Sequence, residues 1–272
     1  MKASNLSAWF RHLSSARGPY ASIVQMRRMY QYHRIPFDTI LGNIFGVLER
    51  YDARFTFTIV ASIATEELLQ MLRERGHEIA SHSLYHVKHS GLPFETQLGY
   101  IKRSLELLEA QGSPVRGFRA PYNSYDINTF RCLDRLGLAY DSGVRRGERF
   151  HELTKPFHLV IDGVSSKFLS FPVCHLSDEA LDQSSKTTVL KLFFNYIDTI
   201  PDNGMGVLQL HPVRIGQPRY LEFLERLIGY LASRGYLMPT LIEVAEGKAE
   251  TPAVCLSGDI DCLSFFDYLR RI

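Results

Sequence analysis

The chain has little that would tie it to a secreted scaffold, a membrane or a nucleic acid. Only four of its 272 residues are cysteine, Cys132, Cys174, Cys255 and Cys262. They show neither CxxC spacing nor the density of a disulfide framework, so reduced thiols filling the core are expected. No window approaches the roughly 20 apolar residues needed to span a bilayer. The opening stretch MKASNLSAWFRHLSSARGPY interrupts its apolar content with Arg11, His12 and Arg17. It therefore lacks the apolar segment of a secretory signal, and a cytoplasmic protein is expected. Charge of one sign is not in excess either: 31 basic and 29 acidic residues leave a net +2, which gives no global attraction to nucleic acid or an anionic surface. The pairs Arg27-Arg28 and Arg145-Arg146 are short and read as solvated surface. Low-complexity linkers and repeats are also absent, so one domain over residues 1–272 is expected. Nothing in the sequence sets the oligomeric state.

With 45% hydrophobic and 22% charged residues, the chain can bury a sizeable core. Strand-like and helix-like stretches alternate along it. RFTFTIVAS (54–62) is rich in β-branched and aromatic residues and precedes TEELLQMLRERG, where Thr65 can cap a helix that Gly76 ends. HEIASH is followed by PFETQLGYIKRSLELLEAQG, with Leu98, Ile101, Leu105 and Leu108 on one face. The pattern recurs as VRGFRAP with NTFRCLDRLG, then LAYDSG. KFLSFPV precedes KTTVLKLFFNYIDTI, and MGVLQLHP precedes RYLEFLERLIGYLASRG. Such β–α units imply a parallel sheet flanked by helices, closed as a barrel or open and doubly wound. The first forty residues read as a long helix or loop, and Gly143 to Phe157 as an elaborated loop. Beyond Glu250, AVCLS has the form of one more buried strand, which in a closed barrel would fill the remaining gap.

In parallel α/β folds the site lies at the carboxyl ends of the strands. Residues following each apolar run are His82 and His86, Arg119, Asp141, His211, and Asp259 with Asp261. Turn chemistry explains any one of these. It does not readily explain a polar, metal-ligating or proton-moving residue at every one of five strand ends. Two imidazoles and a carboxylate form a common three-donor set for a catalytic divalent metal, which lowers the pKa of a water or polarises a carbonyl. A second carboxylate can then act as base, a histidine as acid, and an arginine can keep the base ionised. His77 lies at the opposite end of its strand from His82 and reads as a surface residue. His33, His89 and His175 read as structural or solvated.

Three of these stretches resemble motifs of the polysaccharide deacetylase, or NodB-homology, family of carbohydrate esterases. HSLYH (82–86) is similar to its zinc-binding histidine motif, FRAPY (118–122) to its arginine and proline motif, and VLQLHP (207–212) to the strand carrying its catalytic histidine. The resemblance covers about Arg54 to Pro212. It implies a distorted (β/α) barrel, with His82 and His86 as metal ligands, Arg119 orienting the base, the Tyr122 backbone N–H facing an oxyanion, and His211 as general acid. Asp141 would orient that histidine. The family usually opens with paired aspartates on its first strand, but the upstream region here, ASIVQMRRMYQYHRIPFD, has none. Either the site has lost its base and one ligand, leaving a carbohydrate-binding protein, or the strand has moved. VCLSGDIDCLS has the shape of the missing motif, followed by a helix start in FFDYLRR. A circular permutation is therefore expected, with Asp259 as base, Asp261 as third ligand, and a C-terminal strand closing the barrel.

The activity this implies is metal-dependent hydrolysis of an acetyl group, N-acetyl before O-acetyl, from a sugar or a cytoplasmic glycan precursor. The expected metal is Zn2+, and Co2+, Ni2+ or Fe2+ suits the same donors. A carbohydrate-binding protein without activity and a hydrolase of a nonsugar amide or formyl group are the alternatives.

Overall fold

The strand sequence FTFTI shows how the molecule is layered. The computed structural model describes residues 34–146 and 155–270. Its first helix, α1 (Phe37–Glu49), leads into β1 (Phe55–Ile59), all five residues of which are buried. Phe55, Phe57 and Ile59 point outward into the largest apolar cluster, among side chains from the surrounding helices. Thr56 and Thr58 alternate with them and face inward, where they hydrogen-bond to Glu78 and Asp259. A strand covered on both sides reads as a continuous apolar run only when both faces are apolar. The threonines mark the face that is not.

The remaining elements follow in alternation: α2 (Glu66–Glu74), β2 (Glu78–Ser81), α3 (Phe94–Ala110), β3 (Gly117–Phe118), α4 (Ile127–Leu136), β4 (Tyr140–Asp141) and β5 (Arg145–Arg146). A small hairpin of β6 (Val160–Ile161) and β7 (Val164–Ser165) precedes β8 (Leu169–Ser170) and β9 (Val173–Ser177). Then come α5 (Lys186–Ile197), β10 (Met205–Gln209), α6 (Pro212–Ile215), α7 (Pro218–Ser233), α8 (Leu241–Ala245), β11 (Ala253–Ile260) and α9 (Phe265–Arg270). Expected caps are present. The Thr65 side chain accepts from Leu68 N–H at the start of α2, and Gly76 follows that helix with φ +70°.

The main sheet has the order β5-β9-β10-β11-β1-β2-β3-β4-β8, with every pair parallel. Its two ends meet, because β8 and β9 are separated only by Phe171 and Pro172, and β4 and β5 only by Ser142 to Val144. Backbone bonds from Phe171 N–H to Asp141 and from Val173 N–H to Val144 carry the pairing across both interruptions. The sheet thus curls on itself with helices outside, the distorted (β/α) barrel expected. The C-terminal strand β11 lies between β10 and β1, all eight residues buried, in register Thr58↔Asp259 and Gln209↔Ser257. Gly258 is required there, since a Cβ would collide with the carbonyl oxygen of Leu210, just after β10.

Inside, Ala80, Val173, Val207, Ala253 and Cys255 form an apolar layer closed by Leu241 of α8. Glu78 holds that helix by accepting from Ile242 N–H at 3.0 Å, while Tyr140 Oη donates to it at 2.6 Å. Burial pushes the Glu78 carboxyl up to about 7. All four cysteines are free and buried, as expected. Among the described residues no helix is long and apolar enough to cross a membrane.

Three sequence expectations meet the structure differently. The long helix or loop assigned to the first forty residues is a helix from Phe37, while residues 1–33, with Arg27-Arg28 and His33, lie outside the described residues. The loop from Gly143 begins with strand β5, and residues 147–154 also lie outside. His77 is not a surface residue. It is 8% exposed, stacked on Phe45 at 5.1 Å and edge-on to Phe57 at 5.6 Å.

Burial, then the charges of Arg75 and Arg54, push His77 down to about 4. The unfolded chain takes up this proton near 6.5, so between about 6.5 and 4 the unfolded state binds more protons and stability falls as pH falls. His77→Leu should therefore gain on the parent chain by up to about 3 kcal/mol more at pH 4.5 than at pH 8. Denaturant midpoints at the two pH values check this. An equal difference at both would show that His77 titrates normally in the fold.

Candidate active site

At the carboxyl mouth of the barrel, inward alternation decides which polar side chains converge. On β10 the inward positions are Met205, Val207 and Gln209, with His211 just beyond. On β11 they are Ala253, Cys255, Ser257 and Asp259, with Asp261 two residues on. His82 follows β2, and His86 lies in the loop after it rather than on a helix. That loop turns at Ser83, which has φ 69°.

His82, His86 and Asp261 come together although about 180 residues of chain separate them. The Asp261 Oδ1 is 3.5 Å from His82 Nε2 and 3.3 Å from His86 Nε2. Metal–ligand bonds of about 2.0–2.2 Å require donor separations of about 3.0–3.6 Å in tetrahedral or octahedral geometry, and both distances fall in that range. The donor atoms of all three residues lie within 4.8 Å of one another. His82 is also oriented for this use. Its Nδ1 is 2.8 Å from the carbonyl oxygen of Arg119, which fixes the donor at Nδ1 and directs Nε2 to the cluster. The residues present fit a divalent metal.

Asp259 lies beside this cluster, with Oδ2 3.9 Å from His82 Nε2. Arg119 is fully buried and spends its whole guanidinium here: Nη1 donates to Asp259 Oδ1 at 2.8 Å, Nη2 to Ser257 Oγ at 2.7 Å, and Nε to the Ser142 carbonyl at 2.8 Å. Thr58 Oγ1 donates to the same Oδ1, and Gln209 Nε2 donates to Oδ2 at 2.7 Å. Burial opposes ionisation of Asp259, but the Arg119 charge, then those of His82 and His211, outweigh it and hold the carboxyl well below the usual range.

His211 faces the same mouth and is oriented by a residue that the sequence reading missed. Asp178 Oδ1 lies 2.6 Å from His211 Nδ1, and Asp178 Oδ2 accepts from His211 N–H at 3.1 Å. Arg214 backs the carboxylate at 3.2 Å. Burial depresses the imidazole, but the Asp178 carboxylate outweighs it and raises His211 above its usual pKa. Asp141, expected in this role, serves a turn instead: it accepts from Gly143 N–H at 3.1 Å and Ser170 Oγ at 3.3 Å, and burial pushes it up to about 6. Asp178 immediately follows β9. The apolar run KFLSFPV stops at Val173, four residues before the strand does, so the sequence pattern does not point to Asp178.

Tyr122 sits in the turn Pro121–Asn123 with φ 59°, beside Asn123 with φ 48°. Its ring is 4.2 Å from that of His86 and about half exposed. His89 is fully buried with Nε2 2.8 Å from Ser83 Oγ, a structural role as expected, and His175 is exposed. Gln209, Thr58 and Ser257 complete the set that sequence reading passed over.

Fold and site together define a (β/α) barrel with a candidate metal centre at its carboxyl mouth. The polysaccharide deacetylase family model matches residues 33–140 of this chain, and the fold is the one that solved proteins classed as polysaccharide deacetylases share. The matched segment contains His82, His86, Arg119 and Tyr122 and ends before His211, Asp259 and Asp261. A Mycobacterium smegmatis protein classed as a polysaccharide deacetylase shares the fold at TM-score 0.66 and 20% identity, over 89% of this chain and 86% of that one. Puue allantoinase is similar at TM-score 0.66 and 19% identity, over 82% and 75%. A family 4 carbohydrate esterase from Streptomyces lividans, in complex with acetate, is similar at TM-score 0.53 and 14% identity, over 77% and 89%. None of the curated proteins compared matches this chain in sequence.

Proposed function

We propose that the protein hydrolyses an acetyl group, most simply an N-acetyl group, from a sugar or glycan precursor, with a divalent metal held by His82, His86 and Asp261. The convergence of Asp261 with the two histidines, beside a separately held Asp259, carries this reading. Zn2+ suits the donor set, as do Co2+, Ni2+ and Fe2+, and any of them would supply Lewis acidity toward a water and an acyl oxygen. Asp259, kept ionised by Arg119, accepts the proton of the attacking water. The Tyr122 N–H stabilises charge developing on the acyl oxygen. His211, whose imidazolium form the Asp178 carboxylate favours, delivers its proton to the departing amine. We further propose that the chain is a circular permutation of the family order. One observation supports it: β11, the last strand of the chain, lies between β10 and β1 and brings both carboxylates to the histidines.

Metal content, measured together with acetate release from N-acetylglucosamine oligomers and nucleotide-linked N-acetyl sugars, tests the function. Bound metal with acetate release is expected. Turnover of allantoin in the same panel would move the reading to a nonsugar amide. Metal with no turnover of any acyl substrate would favour a carbohydrate-binding protein.

The Asp178–His211 pair gives a separate prediction. His211→Asn should lower kcat by about 10²–10⁴ with metal retained. Asp178→Asn removes the charge that raises the imidazole, so the pH above which kcat/KM declines should move to lower values. An unmoved profile would remove Asp178 from the acid.

A further inference from the structure

We propose that Gln209 is a positioning residue that ties the carboxylate of Asp259 to the turn carrying Tyr122. This rests on the reading of Asp259 as the base and adds a residue to it.

Gln209 is the last residue of β10 and is 4% exposed. An amide side chain in such a strand is a liability unless both ends are bonded, and here both are. Nε2 donates to Asp259 Oδ2 at 2.7 Å, while Oε1 accepts from Asn123 Nδ2 at 3.1 Å. A carboxylate without a proton only accepts, so the amide has one orientation that satisfies this neighbour, and that orientation presents oxygen to Asn123. The remaining donors to Asp259, Arg119 and Thr58, both address Oδ1. Gln209 is thus the donor that fixes the rotation of the carboxylate about its own axis and sets where Oδ2, the oxygen nearer His82, stands.

The other end of the link is equally specific. Tyr122 and Asn123 are successive non-glycine residues with positive φ, a conformation that L side chains resist and that surrounding bonds must hold. Asn123 contributes its backbone N–H to Ala120 O at 2.9 Å and its side chain to Gln209. The base and the expected oxyanion donor belong to β11 and to the loop after β3. Through Gln209 their separation is set by two hydrogen bonds rather than by the packing of two distant strands. Misplacement by about 1 Å at such a site is worth about 10²-fold in rate.

Hydrolysis of 4-nitrophenyl acetate is a suitable assay, because this leaving group needs no proton from His211 and the rate reports the base and oxyanion sides of the site. Gln209→Met keeps length and removes both bonds. It should lower kcat about 10–100-fold, with KM and metal content close to those of the parent. Asn123→Ala should lower kcat by a smaller factor, and the double variant should be no slower than Gln209→Met alone, since both cut one chain of contacts. Additive losses, or an unchanged kcat for Gln209→Met, would overturn the proposal. Should Gln209→Met not fold, an unchanged kcat for Asn123→Ala would overturn it in its place. Asp259→Asn is the control: if it turns over normally, the reading of the base fails and this inference with it. If it is slow while Gln209→Met is normal, only the role of Gln209 is lost.

Discussion

A chain ending at Glu250 should accumulate as insoluble protein. The deletion removes β11, and with it the hydrogen-bonding partner of both β1 and β10. Two parallel strand edges, neither built to face water, would be left open to pair with other chains. The loss on the outer face includes Val254, Leu256 and Ile260, each at most 1% exposed and packed among the residues of the main apolar cluster. Emptying a site of that kind costs about 2–5 kcal/mol for one side chain, and a folded domain has only about 5–15 kcal/mol in total. Restoring residues 251–272 through a flexible linker ahead of residue 1 should recover soluble, metal-binding protein, because a parallel strand between β10 and β1 can be entered from either chain end. Soluble truncated protein with an unchanged thermal midpoint would show that the strand is dispensable. Failure of the relocated segment to rescue would count against the permutation while leaving the role of β11 intact.

Much of this site was legible because parallel α/β topology concentrates polar chemistry at strand ends. His82, Arg119, His211 and Asp259 each follow or end an apolar run, and that position alone selected them. Resemblance of three short stretches to one family then supplied roles that spacing does not. What escaped notice escaped for two different reasons. Asp178 was lost to a strand boundary: β9 runs on through Cys174, His175, Leu176 and Ser177, and a polar residue in mid-strand ended the apolar run too early. Gln209, Thr58 and Ser257 were lost because they lie within strands, where they read as interruptions of an apolar pattern. Period-two alternation would have recovered them. In MGVLQ, AVCLSGDI and FTFTI the inward positions form one series, and a buried amide or hydroxyl near its carboxyl end must bond something at the mouth. His77 shows the converse. A histidine at the amino end of a strand looks exposed until a helix lies over it, and that contact with Phe45 of α1 is between residues too far apart in sequence for any local pattern to show.

The two aspartates of GDID should fail in different ways when replaced, although they are two residues apart and face the same interior. Asp261→Ala removes one of three donors. Its side chain is 24% exposed at the rim, so the fold should persist while metal is lost on dialysis, and activity should return only in part with excess metal. Asp259→Asn leaves His82, His86 and Asp261 in place, so metal content should match the parent. Asparagine keeps one oxygen to accept from Arg119 but presents N–H groups toward Gln209, which must rotate, and it has no basicity with which to take a proton from water. A fall in kcat of about 10²–10⁴ with metal retained is the expected result. Stability is a third readout that distinguishes the pair. Arg119 is fully buried and has Asp259 as its charged partner in the site. Neutralising that partner leaves a buried cation without its hydrogen-bonded counter-charge, and breaking such a pair costs about 3–5 kcal/mol. Asp259→Asn should therefore unfold at lower denaturant than Asp261→Ala, both measured without metal. Metal lost from Asp259→Asn, or turnover near the parent's in that variant, would sink the assignment of Asp259 as base. Metal retained by Asp261→Ala would remove Asp261 from the ligand set.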